Sequence, residues 1–188
     1  MMSTDSSQKY TQQWVRYRVH SHSILQDIQK RLGPYVSSRY NQIQPTDYHV
    51  TLVPQFTCLQ DDLHSYHSYV FDLFPYETPI TATEAYFYPS RSEPRVICLN
   101  VETPEFNLIE KRDELIRRIE KDENSEKILD PVNPHITLFT IDDPMDSDMK
   151  LPPQISKLHS TVEEINNEYL PFTFNETELK LSSISNPE

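Results

Sequence analysis

At 188 residues the chain has the size of one ordinary domain, long enough to bury a core. Its hydrophobic content is 36%, and no apolar run approaches the length of a membrane span, which excludes a helical membrane protein. A formal net charge of −12 argues against a broad, sequence-independent grip on long nucleic acid, because such a grip neutralises many phosphates with Lys and Arg.

Residues 1–13 are polar and lack the basic-then-apolar order of a signal peptide, so they read as a short disordered lead. Residues 14–19 alternate and predict a strand, with Trp14, Arg16 and Arg18 on one face and Val15, Tyr17 and Val19 on the other. Residues 23–32 have helical spacing through Ile24, Ile28 and Leu32, and Gly33-Pro34 stops the helix. After a polar stretch, residues 48–53 predict a strand closed by Pro54. Residues 61–74 predict a helix with Leu63, Tyr66, Val70 and Phe74 inward. Residues 80–88 and 95–101 predict a hairpin, and its second strand makes Cys98 a small core residue.

Thr103-Pro104-Glu105 opens a predicted helix to about residue 121, whose apolar face holds Leu108, Ile109, Leu115, Ile116, Ile119 and the stem of Arg112. A charged loop over residues 122–130 leads through Pro131 and Pro134 to a strand over residues 135–141. An acidic loop over residues 142–148 precedes a helix near residues 153–167, and strands follow at 172–174 and 178–184. No linker divides the chain, so residues 14–188 read as a single domain. Cys58 and Cys98, the only cysteines, have neither metal-ligand nor redox spacing, and point to a reducing, cytoplasmic compartment.

Two strings carry the chemistry. His49-Val50-Thr51-Leu52 and His135-Ile136-Thr137-Leu138 both lie on predicted strands, about half the chain apart. Side chains at i and i+2 of a strand share a face. Each string therefore presents an imidazole and a hydroxyl together, over an apolar underside of Val50 and Leu52 or Ile136 and Leu138. Two imidazoles are what acid–base cleavage of a phosphodiester needs, one to take a proton and one to give it.

Paired, strand-borne His-x-Thr strings resemble the signature of the 2H phosphoesterases, which include 2′,5′ RNA ligase-like proteins and cyclic nucleotide phosphodiesterases. The flanks agree: Asp47-Tyr48 precedes the first string, and Asn133-Pro134 precedes the second, as in the Pro-His-x-Thr form common in that family. The resemblance covers most of the chain. It implies an α+β fold, bilobal and duplicated, with two antiparallel sheets facing a central cleft and helices outside. It implies hydrolysis without a metal or other cofactor. One of His49 and His135 would act as general base on water or a ribose hydroxyl, and the other as general acid on the leaving oxygen; the residues leave open which is which. Thr51 and Thr137 would hydrogen-bond the non-bridging phosphate oxygens.

The implied substrate is a 2′,3′-cyclic phosphate end, a 2′,5′-linked oligonucleotide or a small cyclic nucleotide, held by a monomer with no affinity for long nucleic acid or membrane. The rival is a non-catalytic nucleotide-binding or assembly protein that keeps the fold. The motif histidines lack the spacing of a metal cluster, and His64 and His67, three apart on a predicted helix, read as a solvated face. Strand parity puts Phe139 beside His135 and Thr137, where it would stack on a base. Trp14, Arg16, Arg18 and Tyr48 are further candidates for substrate contact. Tyr86, with Tyr88, Arg91 and Arg95, would form a rim. The basic residue that many family members carry after the second string has no counterpart in Phe139-Thr140-Ile141-Asp142.

Overall fold

The computed structural model describes residues 9–20, 23–36, 40–89, 91, 94–129, 131–141 and 155–183. In chain order these form β1 (Tyr10–Val19), α1 (Ser23–Leu32), β2 (Tyr40–Gln42), β3 (His49–Leu59), α2 (Leu63–Leu73), β4 (Ile80–Pro89) and β5 (Pro94–Glu102), then α3 (Leu108–Lys121), β6 (Glu126–Lys127), β7 (His135–Ile141), α4 (Ile155–Glu168), β8 (Phe172–Phe174) and β9 (Thr177–Ser183). The acidic loop expected at 142–148 lies outside the described residues.

The architecture is the expected α+β one, in two antiparallel lobes. One lobe is β9-β1-β3 and the other is β8-β4-β5-β7. The lobes are halves of one hydrogen-bonded sheet, joined where β3 meets β7 at a single described pair, Val50 opposite Ile136. Away from that pair, β7 takes β2 as its neighbour and β3 takes β6. The two motif strands touch at their motifs and then part.

A bulge follows each motif. Across β3 and β1, Val53 faces Val15 while Thr51 faces Arg16, so two steps on β3 match one on β1. Across β7 and β5, Phe139 faces Ile97 while Thr137 faces Cys98, the same slip at the same place. Extra residues of this kind bend a strand and break its alternation. Leu52 and Val53 are accordingly both buried, and so are Leu138 and Phe139. A further slip between the pairs Val15–Val53 and Gln13–Phe56 accommodates Pro54, which was expected to close the strand. Along β3, Pro54 falls between the contacts to β7 and to β6. Residues 10–13, expected in the disordered lead, pair with β3. Their polar sequence hides this, because the pairing supplies backbone hydrogen bonds and needs no apolar alternation.

The core lies between one face of the sheet and the helices. The motif undersides Val50, Leu52, Ile136 and Leu138 are each 0% exposed. Burying such a side chain contributes about 1.5–3 kcal/mol. They belong to one cluster with Leu25, Ile28 and Leu32 of α1, Val70 of α2, Leu115 and Ile119 of α3, and Leu158 and Ile165 of α4. Helix α3 starts at Leu108, later than Thr103-Pro104-Glu105 suggested, because the Asn107 side chain caps it by accepting from Glu110 N–H at 3.1 Å. The stem of Arg112 is buried as expected, and its guanidinium donates to the Val132 carbonyl at 2.8 Å, steadying the entry to β7.

One buried amide ties both motif strands to α1. Gln29 Nε2 donates to the carbonyls of Leu138 and Ile43, each at 2.9 Å, and Gln29 Oε1 accepts from the Tyr48 hydroxyl. Leu138 ends the second string, Tyr48 directly precedes the first, and Ile43 lies on the approach to it. Gln29→Leu is expected to leave the buried Tyr48 hydroxyl without its partner and to remove two donor contacts. An orphaned buried polar group costs about 1–3 kcal/mol. The urea midpoint should fall accordingly; an unchanged midpoint would contradict the role given to this amide.

Candidate active site

Pairing of Val50 with Ile136 in antiparallel sense sets the positions of their neighbours. His49 lies across from Thr137, and Thr51 across from His135, on the face opposite the core. In such a ladder, direct neighbours have Cβ atoms roughly 4.5–5.5 Å apart and diagonal ones roughly 7–8 Å. The two histidines are the diagonal pair, with a threonine beside each. All four side chains are half-buried.

Both rings are held in the same way. His49 Nδ1 lies 2.6 Å from the Asp47 carbonyl, and His135 Nδ1 lies 2.7 Å from the Asn133 carbonyl. A carbonyl only accepts, so each Nδ1 carries a hydrogen, and each Nε2 has a lone pair in the neutral ring and a second proton in the charged one. The local cause differs on the two sides. A 3₁₀ turn at Pro45–Asp47 folds the first carbonyl back, and Pro134, itself buried, does so at the second. Among the described residues, neither the Thr51 nor the Thr137 hydroxyl has a hydrogen-bond partner.

Strand register adds side chains to the same face. On the first lobe, His49 is followed across the sheet by Arg18 and Glu178, and Thr51 by Arg16 and Lys180. On the second, His135 is followed by Asn100 and Glu84, and Thr137 by Cys98 and Tyr86. The expected alternation is what β1 shows: Trp14, Arg16 and Arg18 share one face, half-buried, and Val15, Tyr17 and Val19 are buried on the other. The Arg16 guanidinium stacks 3.8 Å from the Trp14 ring centre, a cation–π contact, and the Trp14 ring meets His49 edge-on at 5.3 Å. Lys180, Asn100 and Cys98 carry no sequence signal, since only the register of distant strands brings them to the motifs.

Two candidates do not reach this face. Phe139 is 2% exposed and packs in the core, because the bulge after Thr137 turns it inward; it is not free to stack on a base. The Tyr48 ring is fully buried on the core side, its hydroxyl bound to Gln29. Tyr86 is half-buried two strands from Thr137, and burial raises its phenol above the ordinary value. In the expected rim, Tyr88 and Arg95 are exposed, and Arg91 pairs with Glu163 at 2.9 Å on α4. His64 and His67 are exposed on α2, with the His67 ring stacked on Phe71 at 4.5 Å. Among the described residues, no three His, Cys, Asp or Glu side chains converge as a metal cage, and no helix is long and apolar enough to cross a membrane.

The site's electrostatics distinguish the first histidine. Burial lowers the His49 pKa below its ordinary value, and the charges of Arg16 and His135 add to this, against the opposing effects of the Asp47 carbonyl and carboxylate. Burial and then the charge of Arg18 lower the Arg16 pKa as well. Cys98 is a buried thiol whose pKa is pushed up to about 11 by desolvation, so it is a packing residue and no nucleophile at neutral pH.

No family model matches the chain, and no curated protein matches it in sequence. Its fold has solved counterparts. LigT of E. coli complexed with 3′-AMP aligns over 96% of this chain and 91% of LigT, with a TM-score of 0.59 and 14% identity. LigT complexed with NADP+ aligns over 95% and 90%, with a TM-score of 0.56 and 14% identity. TT0787 of Thermus thermophilus aligns over 92% and 95%, with a TM-score of 0.52 and 16% identity. At these identities the likeness is one of fold alone: the chain has a LigT-like fold, in keeping with the α+β architecture expected from the His-x-Thr strings.

The depressed His49 pKa has a measurable sign. A histidine in the unfolded chain titrates near ~6.5. As pH falls, the unfolded state takes the proton first, so the neutral ring's contribution to stability is complete above ~6.5 and is lost as pH drops through the lower folded value. An NMR titration of the folded protein should place the His49 midpoint below ~6.5. Arg16→Ala should raise it, by removing a like charge and admitting water. A His49 midpoint at or above the ordinary value would contradict the electrostatic reading.

Proposed function

We propose that this protein is a two-histidine phosphodiesterase acting at a ribose phosphate, with no metal and no cofactor in the reaction. The observation that carries the reading is the matched pair of rings. Both Nδ1 atoms are tied to carbonyls two residues back, so both Nε2 atoms are free to work on one group.

We assign the base to His49, because burial and then the charge of Arg16 favour its neutral ring, the form that accepts a proton at Nε2. It takes the proton from an attacking water as the new oxygen–phosphorus bond forms. His135 then gives its Nε2 proton to the ribose oxygen whose bond to phosphorus breaks. The exchanged protons return through solvent, and in the reverse direction the two roles swap. The unpartnered Thr51 and Thr137 hydroxyls donate to the non-bridging oxygens as negative charge builds on them.

The substrate class is a 2′,3′-cyclic phosphate end, a 2′,5′-linked oligonucleotide or a small cyclic nucleotide. LigT, which shares the fold, is known in complexes with 3′-AMP and NADP+, and small nucleotide ligands of this kind suit a gap framed by four side chains. The chain's acidity supports the same preference, because long polyanions are repelled. A cytoplasmic monomer working on small nucleotides is the setting we assign to it.

The test is turnover of a 2′,3′-cyclic nucleotide. His49→Ala and His135→Ala should each lower it by roughly 10²–10⁴ fold, the usual loss for one general acid or base. The double variant should be much less impaired than the product of the two effects, because the residues act as a unit. Near-wild-type turnover in either single variant would overturn the assignment. Binding without turnover in the intact protein would favour the non-catalytic, nucleotide-binding alternative.

A further inference from the structure

The strip beside the first motif is more basic than the reaction requires. Arg18 is the direct cross-strand neighbour of His49, Arg16 that of Thr51, and Lys180 lies beyond Arg16 on β9. With Thr46 and Asp47 these three cations line a cavity of about 260 Å3. Among the described residues, neither guanidinium makes an ion pair or hydrogen bond, although the chain has 29 acidic residues against 17 basic ones. Arg16 Nε is buried and has no hydrogen-bond partner. A buried N–H without an acceptor is costly to keep. Stacking on Trp14 fixes the Arg16 plane, so the cost is borne in one orientation.

We propose that Arg16, Arg18 and Lys180 form a second anion subsite, which binds a second phosphate of the same substrate one nucleotide unit from the reacting one. The inference rests on the phosphodiesterase reading for its reaction, and on the cavity for its ligand. The reacting phosphate belongs between the two histidines on β3 and β7, whereas these cations lie on the next two strands, β1 and β9. Two carboxylates limit the subsite. Asp47 lines the cavity, and Glu178 pairs with Lys180 at 2.6 Å, with His20 4.0 Å away. Three cations against two carboxylates suit one phosphodiester or one terminal phosphate, not a polyphosphate tail. The lowered Arg16 pKa, from burial and then Arg18, fits two crowded cations that an anion would relieve.

The proposal predicts which substrates are preferred. Adenosine 2′,3′-cyclic phosphate is compared with its 5′-phosphorylated form and with the dinucleotide ApA bearing a 2′,3′-cyclic end. The second and third compounds offer the extra phosphate as a terminal group and as a phosphodiester, which separates the two sources. At least one should show kcat/KM about tenfold or more above the first, the effect of a charge-assisted contact. Arg18→Ala and Lys180→Ala should each bring that ratio toward one. Equal kcat/KM for all three compounds in the intact protein would overturn the subsite.

A binding measurement separates the subsite from the chemistry. By calorimetry, adenosine 3′,5′-bisphosphate should bind about tenfold or more tighter than 3′-AMP, and Lys180→Met should abolish the difference. Preferred binding of the bisphosphate with no turnover of any cyclic compound would retain the subsite and refute the phosphodiesterase reading. Turnover without discrimination, by either measurement, would do the reverse.

Discussion

The contact between Val50 and Ile136 is where the two lobes are joined, and the geometry of the cleft follows from it. Facing residues of an antiparallel pair fix the positions of their neighbours on the opposite face. Two apolar side chains in the core thereby set two imidazoles and two hydroxyls around one gap. A helix or a loop would hold such a quartet less tightly, since a strand pair prescribes both spacing and direction. The bulges immediately after each motif bend β3 and β7 apart, so that the strands meet only where the reactive groups are. Gln29 holds the arrangement from behind by bonding to the Leu138 carbonyl and the Tyr48 hydroxyl.

Electrostatics then give unlike characters to two halves that are alike in backbone. Beside the first motif stand Trp14, Arg16, Arg18, Lys180 and Glu178; beside the second stand Asn100, Cys98, Glu84 and Tyr86. Desolvation and then the neighbouring cations lower the His49 pKa. Three cations, Arg16, Arg18 and Lys180, gather in this strip of an acidic chain. Repulsion of polyanions over most of the surface and attraction at one lobe of the cleft together select small anions.

Much of this was legible in the sequence where local periodicity governs the outcome. The His-x-Thr strings sit on strands with their histidines and threonines on one face, and the β1 alternation holds from Trp14 to Val19. Parity misplaced Phe139 because it assumes an unbroken strand, whereas a bulge adds a residue. A signal for the bulge is present: in both strings the residue after Leu is apolar, Val53 or Phe139, where strict alternation toward the cleft calls for a polar one. Strands β2 and β6 have two or three residues each, too few for any period, and form because β7 and β3 leave backbone groups to pair. Lys180 and Gln29 were illegible for another reason. Their parts depend on which distant strand or carbonyl the fold brings to them, and a side chain's own neighbours in sequence do not encode that.

The central claim is that both histidines address one phosphorus centre through Nε2. A crystal structure of the protein with a nucleoside 3′-monophosphate bound tests it most directly. The account predicts phosphate oxygens within roughly 2.7–3.2 Å of Nε2 of both His49 and His135. Both Nδ1 atoms should remain on the Asp47 and Asn133 carbonyls, and both threonine hydroxyls should be on the phosphate. A phosphate reached by only one of the two histidines, or bound away from both, would contradict it.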